Sequence, residues 1–180
     1  MPHIPVSEEW PGIVGLFSFK PSTGRTMAAL AHQLLRGPSS LTEGERELIA
    51  AFVSSRNECY FCTAAHSAAA CELVDGGRDV VDAVVDDPGS APVGEKMQAL
   101  LHLAGKVQRS GREVTADDIA AARAAGADDE AIHDAVLVAA AFCMFNRYVD
   151  GLDAVTPREA ATYDFIGKLL AAEGYGALGT

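Results

Sequence analysis

Cys59, Cys62 and His66 are the residues whose types and spacing suit chemistry, in the run Glu58-Cys-Tyr-Phe-Cys-Thr-Ala-Ala-His66. Two cysteines three positions apart at a helix entry have Cα atoms ~5–6 Å from each other, inside the range of a disulfide, so the pair can close a bond with little backbone movement. On a helix, Cys62 and His66 stand at i and i+4, with Cβ atoms ~5–6 Å apart on one face. That is close enough for a thiol and an imidazole to exchange a proton directly or through one water. A free thiol has a pKa of ~8.5 and is mostly protonated at neutral pH; a helix N-terminus and an imidazole both stabilise the thiolate. Cys62 is therefore the expected attacking sulfur, and Cys59 the one that condenses with a sulfenic acid before further oxidation. The opposite assignment stays open, because the more N-terminal cysteine of such a pair is often the more exposed. Glu47 lies on the preceding helix; if the two pack antiparallel, its carboxylate can reach the imidazole, where it would fix the tautomer and favour the protonated ring, a contact that spacing allows without requiring.

The pattern around these residues is helical throughout. Thr42 and Glu45 have capping-box spacing, Leu41 is placed as the staple residue, and Leu48, Ile49, Phe52 and Val53 form an apolar face behind them. A break near Arg56-Asn57-Glu58 precedes a segment from Tyr60 to Val74 that stops at Asp75-Gly76-Gly77, which puts the cysteine pair at a helix N-terminus. Upstream, a helix is predicted over about Gly24 to Leu35, ended by Gly37-Pro38, and residues 1–23, rich in proline and aromatics, read as an extended arm. Downstream, Met97, Leu100, Leu101, Ala104 and Val107 recur at helical spacing. Thr115 to Asp118 is a second cap, and a long apolar helix runs from Asp128 or Asp129 to about Tyr148. Thr156-Pro157-Arg158-Glu159 is expected to cap a last helix reaching about Ala172. The acidic stretch Asp79 to Asp87 reads as a wet face. No segment alternates apolar and polar residues as a strand does, so the expected fold is all-α, a bundle of seven or eight helices in one domain over residues 1–180.

Composition narrows the partners. Lys and Arg number 14 against 25 Asp and Glu, a net charge of −11, and no basic cluster occurs, which argues against nucleic acid or an anionic membrane surface. No run of 18 apolar residues suggests a membrane span, and the proline- and acid-interrupted start does not read as a signal peptide. The expectation is a cytoplasmic protein, where four cysteines are unsuited to structural disulfides. Hydrophobic content of 49% with only 7% aromatics means an alanine-rich core of closely packed helices. Such a small chain, with a hydrophobic arm, is expected to form a homo-oligomer.

Plainer readings stand beside the catalytic one. A CxxC is half of many zinc sites, but Cys71 and Cys143 are isolated and His66 supplies at most a third ligand. Cys71 and Cys143 are expected to be small core residues, and Asn146 and Arg147 to line a pocket, an interface or a solvated helix end. His3, His32, His102 and His133 have no partners in sequence.

Glutamate, eleven residues, then CxxCxxxH, here Glu47, Cys59, Cys62 and His66, resembles the pattern of the AhpD-like alkylhydroperoxidases within the carboxymuconolactone decarboxylase superfamily. The resemblance extends through EWPGIVGLF, LLRGPSSLTEGERELIA and AFCMFNRYVDGL, and is to the peroxidase-related branch. It implies an AhpD-like helical, oligomeric hydroperoxide reductase whose cysteine pair cycles between dithiol and disulfide. It further implies electrons from an external dithiol, a thiol or lipoyl-bearing reductant protein, without metal, flavin or haem. By the same resemblance Glu47, Cys59, Cys62 and His66 form a proton relay. Phe61 stands where the best-known members carry a histidine, which removes one polar group from that relay. The decarboxylase branch lacks the CxxC. A dithiol–disulfide oxidoreductase that does not use peroxide, and a redox-sensing or zinc-binding scaffold, are the alternative functions.

Overall fold

The structure is a computed structural model that describes residues 1–7 and 9–179. Nine α-helices occur among the described residues: α1 (Ile13–Phe19), α2 (Pro21–Arg36), α3 (Glu43–Arg56), α4 (Tyr60–Leu73), α5 (Gly77–Asp86), α6 (Glu95–Arg109), α7 (Ala116–Ala124), α8 (Asp129–Gly151) and α9 (Ala160–Glu173). Short 3-10 turns at Gly111–Glu113 and Gly176–Gly179 complete the described regular structure, which contains no strand. The all-α expectation holds, with more helices than the seven or eight expected.

The two helices that the sequence reading did not place, α1 and α5, have local causes. α1 lies in the expected arm, where Leu16 and Phe17 are buried, and α2 begins at Pro21, a position whose missing N–H would have no helical partner anyway. Among the described residues of the arm, the stretch outside the helices lies mainly before α1, where the His3 N–H donates to the Leu152 carbonyl at 3.0 Å. α5 occupies the acidic stretch: Asp79, Asp82 and Asp86 face water, while Val81 and Val84 are buried on the opposite side. The wet face was a correct reading, but of an amphipathic helix.

Two of the three expected caps form. Thr42 accepts from the Glu45 N–H at 3.1 Å while the Glu45 carboxylate accepts from the Thr42 N–H at 2.9 Å, and Thr115 and Asp118 make the same reciprocal pair. The third does not. α9 starts after Glu159 with no side-chain cap, because the Pro157 carbonyl is taken by the Tyr163 hydroxyl at 2.8 Å and the Arg158 guanidinium stacks 4.1 Å over the Tyr60 ring. Tertiary contacts hold those residues off the helix.

α3 and α4 form the hairpin that matters for the site. Three couplings fix its direction: the Cys59 N–H donates to the Ser54 carbonyl at 3.1 Å, Glu47 meets His66, and Gly44 packs on Leu73 and Val74. Residue numbers rise on one helix as they fall on the other, so the pair is antiparallel. α3 is buried on nearly all sides, from Arg46 to Ser54. α9 crosses α4 at Gly167, where a Cβ would lie 2.6 Å from the Ala68 backbone, so only glycine permits that approach. α8 has the length and apolar composition of a membrane span, yet Ala135, Val138, Ala139 and Phe142 are buried within the bundle core, as suits the central helix of a helical bundle.

Candidate active site

The turn before α4 sets the cysteines. Residues 57–59 are the break expected from sequence, and Glu58 takes φ 59°, a left-handed conformation that costs a non-glycine residue about 1 kcal/mol or more. Buried Asn146 of α8 holds this turn: its side chain accepts from Asn57 Nδ2 at 2.8 Å and donates to the Ser54 hydroxyl at 3.1 Å. Of the two late residues singled out in sequence, Asn146 is thus a structural strut. Arg147 is an exposed helix residue bonded to the Cys143 carbonyl.

Cys59 is the N-cap residue of α4 and Cys62 lies in its first turn; both are free thiols and both are buried. Their surroundings differ. Cys62 lines a cavity of about 330 Å³, whereas Cys59 sits behind it, away from that cavity. The neighbouring Cys62 thiol, then burial, push the Cys59 thiol far above the usual range. The Asp150 carboxyl, from the C-terminal end of α8, acts on Cys59 in the same direction. Asp150 in turn is raised chiefly by burial, with Cys59 opposing. Nothing in the spacing of Asp150 announced its approach to Cys59.

His66 is buried one turn further along α4 and lines the same cavity as Cys62. Its Nδ1 lies 2.8 Å from Glu47 Oε2. A carboxylate there can only accept, so the proton of the neutral ring sits on Nδ1 and Nε2 keeps its lone pair for the cavity. The Phe142 ring meets the imidazole edge-on at 4.5 Å between centroids, fixing its plane.

Glu47 has no exposed surface, and it is surrounded by donors. Oε1 forms an ion pair with the Arg36 guanidinium, Nη2 lying at 2.7 Å, and accepts from the Tyr175 hydroxyl at 2.6 Å. Burial pushes the carboxyl up, but His66, Arg36 and Tyr175 outweigh it and hold it below the usual carboxylate range. Sequence reasoning missed both Arg36 and Tyr175. Arg36 ends α2 as an ordinary last-turn base, and Tyr175 lies in the Gly-rich segment after α9, where no periodicity marks it. His32 does acquire a partner, accepting from the Tyr175 N–H at 3.2 Å. Cys71 and Cys143 are half-buried against the main core, far from the pair in role. Among the described residues no three His, Cys, Asp or Glu side chains gather as a metal site.

The cavity is mostly apolar, with Glu9 and Thr162 also on its lining. Phe17, Phe61, Phe142 and Phe145 wall it, Cys62, His66 and Tyr175 close its reactive end, and exposed Trp10 and Phe165 stand at its rim. Phe61 owes its position to Gly12, which has φ 55° and leaves room for the ring where a Cβ would fall 2.1 Å from it. This geometry sets an order of reaction with electrophiles. Iodoacetamide is expected to modify Cys62 well before Cys59, as read by peptide mass spectrometry during a time course; faster labelling of Cys59 would reverse their roles.

Comparisons with known proteins bear on the family and the fold. Residues 21–87, from α2 to the end of α5 and including all four sequence-chosen residues, match the carboxymuconolactone decarboxylase family. Among solved structures, an uncharacterized peroxidase-related protein from Silicibacter sp. TM1040 is 28% identical with a TM-score of 0.77, over 86% of this chain and 78% of that one. The AhpD core of an uncharacterized peroxidase-related protein from Ralstonia eutropha JMP134 is 26% identical with a TM-score of 0.78, over 88% and 81%. A protein of unknown function from Agrobacterium tumefaciens, 20% identical with a TM-score of 0.71 over 88% and 100%, bears on the fold alone. A search of the curated proteins finds no match. By the family match over residues 21–87 and the likeness of its helical bundle to the Silicibacter and Ralstonia structures, the chain is similar to the AhpD-like, peroxidase-related proteins of the carboxymuconolactone decarboxylase superfamily.

Proposed function

We propose that the protein is a thiol-dependent hydroperoxide reductase acting on organic hydroperoxides. One observation carries the reading: Cys62 and His66 share the inner end of a single apolar cavity, while Cys59 lies directly behind Cys62. In the proposed cycle, Nε2 of His66 takes the Cys62 proton. The thiolate attacks the terminal oxygen of R–O–O–H, the O–O bond breaks, and Cys62 becomes a sulfenic acid. The departing alkoxide takes the proton back from the imidazolium and leaves as R–OH. Cys59 then attacks the sulfenic sulfur, its proton leaving with the hydroxyl as water, and a Cys59–Cys62 disulfide forms. Two thiols are oxidised and one hydroperoxide is reduced. An external dithiol, free or on a lipoyl-bearing reductant protein, returns the disulfide to two thiols by exchange. Glu47 orients His66 through Nδ1 and balances its charge when it is protonated.

The mostly aromatic and aliphatic walls favour a substrate with an apolar organic group, since a cavity of this size matches the lower range of small-molecule sites. Exposed Trp10, Phe19, Leu30 and Phe165 support the further proposal of a homo-oligomer, which would cover part of that surface, and the free thiols suit a reducing, cytoplasmic setting. The test is hydroperoxide consumption. With cumene hydroperoxide and a dithiol reductant, the protein is expected to turn over and to lose two free thiols per hydroperoxide when the reductant is left out. Failure to consume any hydroperoxide rejects the reading. A second reading, dithiol–disulfide exchange without peroxide, draws on Phe61, whose ring lines the cavity at the position where the family resemblance implies a histidine. It would be recognised by reduction of a disulfide substrate in the absence of hydroperoxide consumption.

A further inference from the structure

We infer that Tyr175 and Arg36 are positioning residues of the relay, dividing the Glu47 carboxylate so that one oxygen alone serves His66. This rests on the hydroperoxide reductase reading for its rate measurement, and on hydrogen-bond geometry for the remainder.

A bare buried carboxylate beside an imidazole favours the imidazolium, and an imidazolium cannot accept the proton of Cys62. Here the carboxylate is not bare. Oε1 is engaged by the Arg36 guanidinium at 2.7 Å and by the Tyr175 hydroxyl at 2.6 Å, which leaves Oε2 for His66 Nδ1 at 2.8 Å. Arg36 brings the compensating charge into the site, and Tyr175 brings a neutral donor. The same hydroxyl lies 3.1 Å from Nδ1, and the phenol ring stacks on the imidazole with centroids 5.7 Å apart and planes 16° from parallel. Tyr175 therefore touches both acid and base of the relay. Burial, then Glu47, push its phenol well above the ordinary range, so the hydroxyl keeps the proton it donates.

The chain is shaped to deliver this residue. After α9 it reverses at Gly174, with φ 69°, where a Cβ would lie 2.8 Å from the His32 ring. The Tyr175 N–H is received by His32 Nδ1, and the Arg36 guanidinium lies 5.2 Å over the Tyr175 ring. Arg36 is anchored in turn by the Leu35 and Leu170 carbonyls at 2.8 and 3.0 Å. Its Nε is 3.5 Å from Glu43 Oε2, too poorly aligned for a hydrogen bond, and is the one buried side-chain polar atom among the described residues without a partner. The ionisable groups around His66 are thus Glu47 of α3, Cys62 of its own helix and Tyr175 of the C-terminal turn. Arg36 and His32 of α2, with Glu43 of α3, lie behind them, and α8 presents the Phe142 ring.

The test is Tyr175→Phe, which keeps the ring and removes the hydroxyl. Two readouts apply: hydroperoxide kinetics over about pH 5 to pH 9, and the NMR titration of the His66 ring. The expected result is a fall in kcat of about tenfold with KM within about twofold, since one charge-assisted hydrogen bond is lost while the cavity wall stays. The acid limb of the rate profile and the His66 titration both move to higher pH, because a carboxylate with one donor fewer holds the imidazolium proton more tightly. Arg36→Gln moves the titration the same way and further, because a full charge is removed, and it carries the test should Tyr175→Phe fail to fold. An unchanged His66 titration in the folded variants overturns the inference, as does a change confined to KM. If the wild type consumes no hydroperoxide and the titration still shifts, the positioning role stands and the peroxidase reading falls.

Discussion

Cys62→Ser is expected to stop hydroperoxide turnover, with a loss on the order of a thousandfold or more. The serine hydroxyl is far less acidic than a thiol, so His66 cannot generate its anion at neutral pH, and oxygen cannot form the sulfenic intermediate or the disulfide. The companion variant separates the roles of the two sulfurs. Cys59→Ser is expected to consume about one equivalent of hydroperoxide and then stall, with a sulfenic acid at Cys62 that dimedone traps and mass spectrometry locates. The order follows from placement, since Cys62 lines the cavity and Cys59 is enclosed behind it. Single-turnover activity in Cys62→Ser with none in Cys59→Ser would transfer the attack to Cys59.

Glu47→Gln is expected to have the largest effect on stability. The carboxylate is wholly buried and balances Arg36, so its loss leaves a guanidinium with 6% side-chain exposure facing an amide, with His66 and Tyr175 as competing donors. Breaking one side of a buried ion pair costs roughly 3–5 kcal/mol. In a chain of this size that lowers Tm by roughly 6–20 °C, which calorimetry would read. The pH dependence has a definite sign. The folded carboxyl is held below its ordinary range, so its contribution is complete above the unfolded value of about 4.3 and drains away as pH falls from there through the folded value. The gap between wild type and Glu47→Gln should therefore be widest near neutral pH and should narrow on acidification. A gap that stays constant down to about pH 3 would show that folding does not shift this carboxyl, and one that widens on acidification would show that it is protonated in the folded protein.

Much of this molecule is legible without coordinates. α3 and α4 announce themselves through a capping box, an apolar face and a glycine stop, all local signals, because the interactions that create them span four residues or fewer. The i, i+4 relation of Cys62 and His66 belongs to the same class, and the structure sets both on the wall of one cavity. Local signals fail where a tertiary contact competes. Thr156 to Glu159 has the letters of a cap, yet Tyr163 and Tyr60 draw Pro157 and Arg158 into other contacts and α9 starts later. α5 was hidden for a different reason: its two buried valines are few against its acids, and amphipathicity in so short a helix reads as mere polarity.

The division between chain and fold is clearest at Glu47. That it could face His66 follows from any antiparallel hairpin joined by a tight turn, an arrangement that the sequence spacing permits and the fold adopts. That its other oxygen meets Arg36, 11 positions before it, and Tyr175, 128 positions after it, follows from nothing local. Those contacts exist because α2 and the C-terminal turn pack together over α3, and the packing is governed by shape and by burial summed over the whole bundle. The reactive pair was written in short-range spacing; the electrostatic surroundings that decide its proton were left to long-range assembly, where no window of sequence can show them.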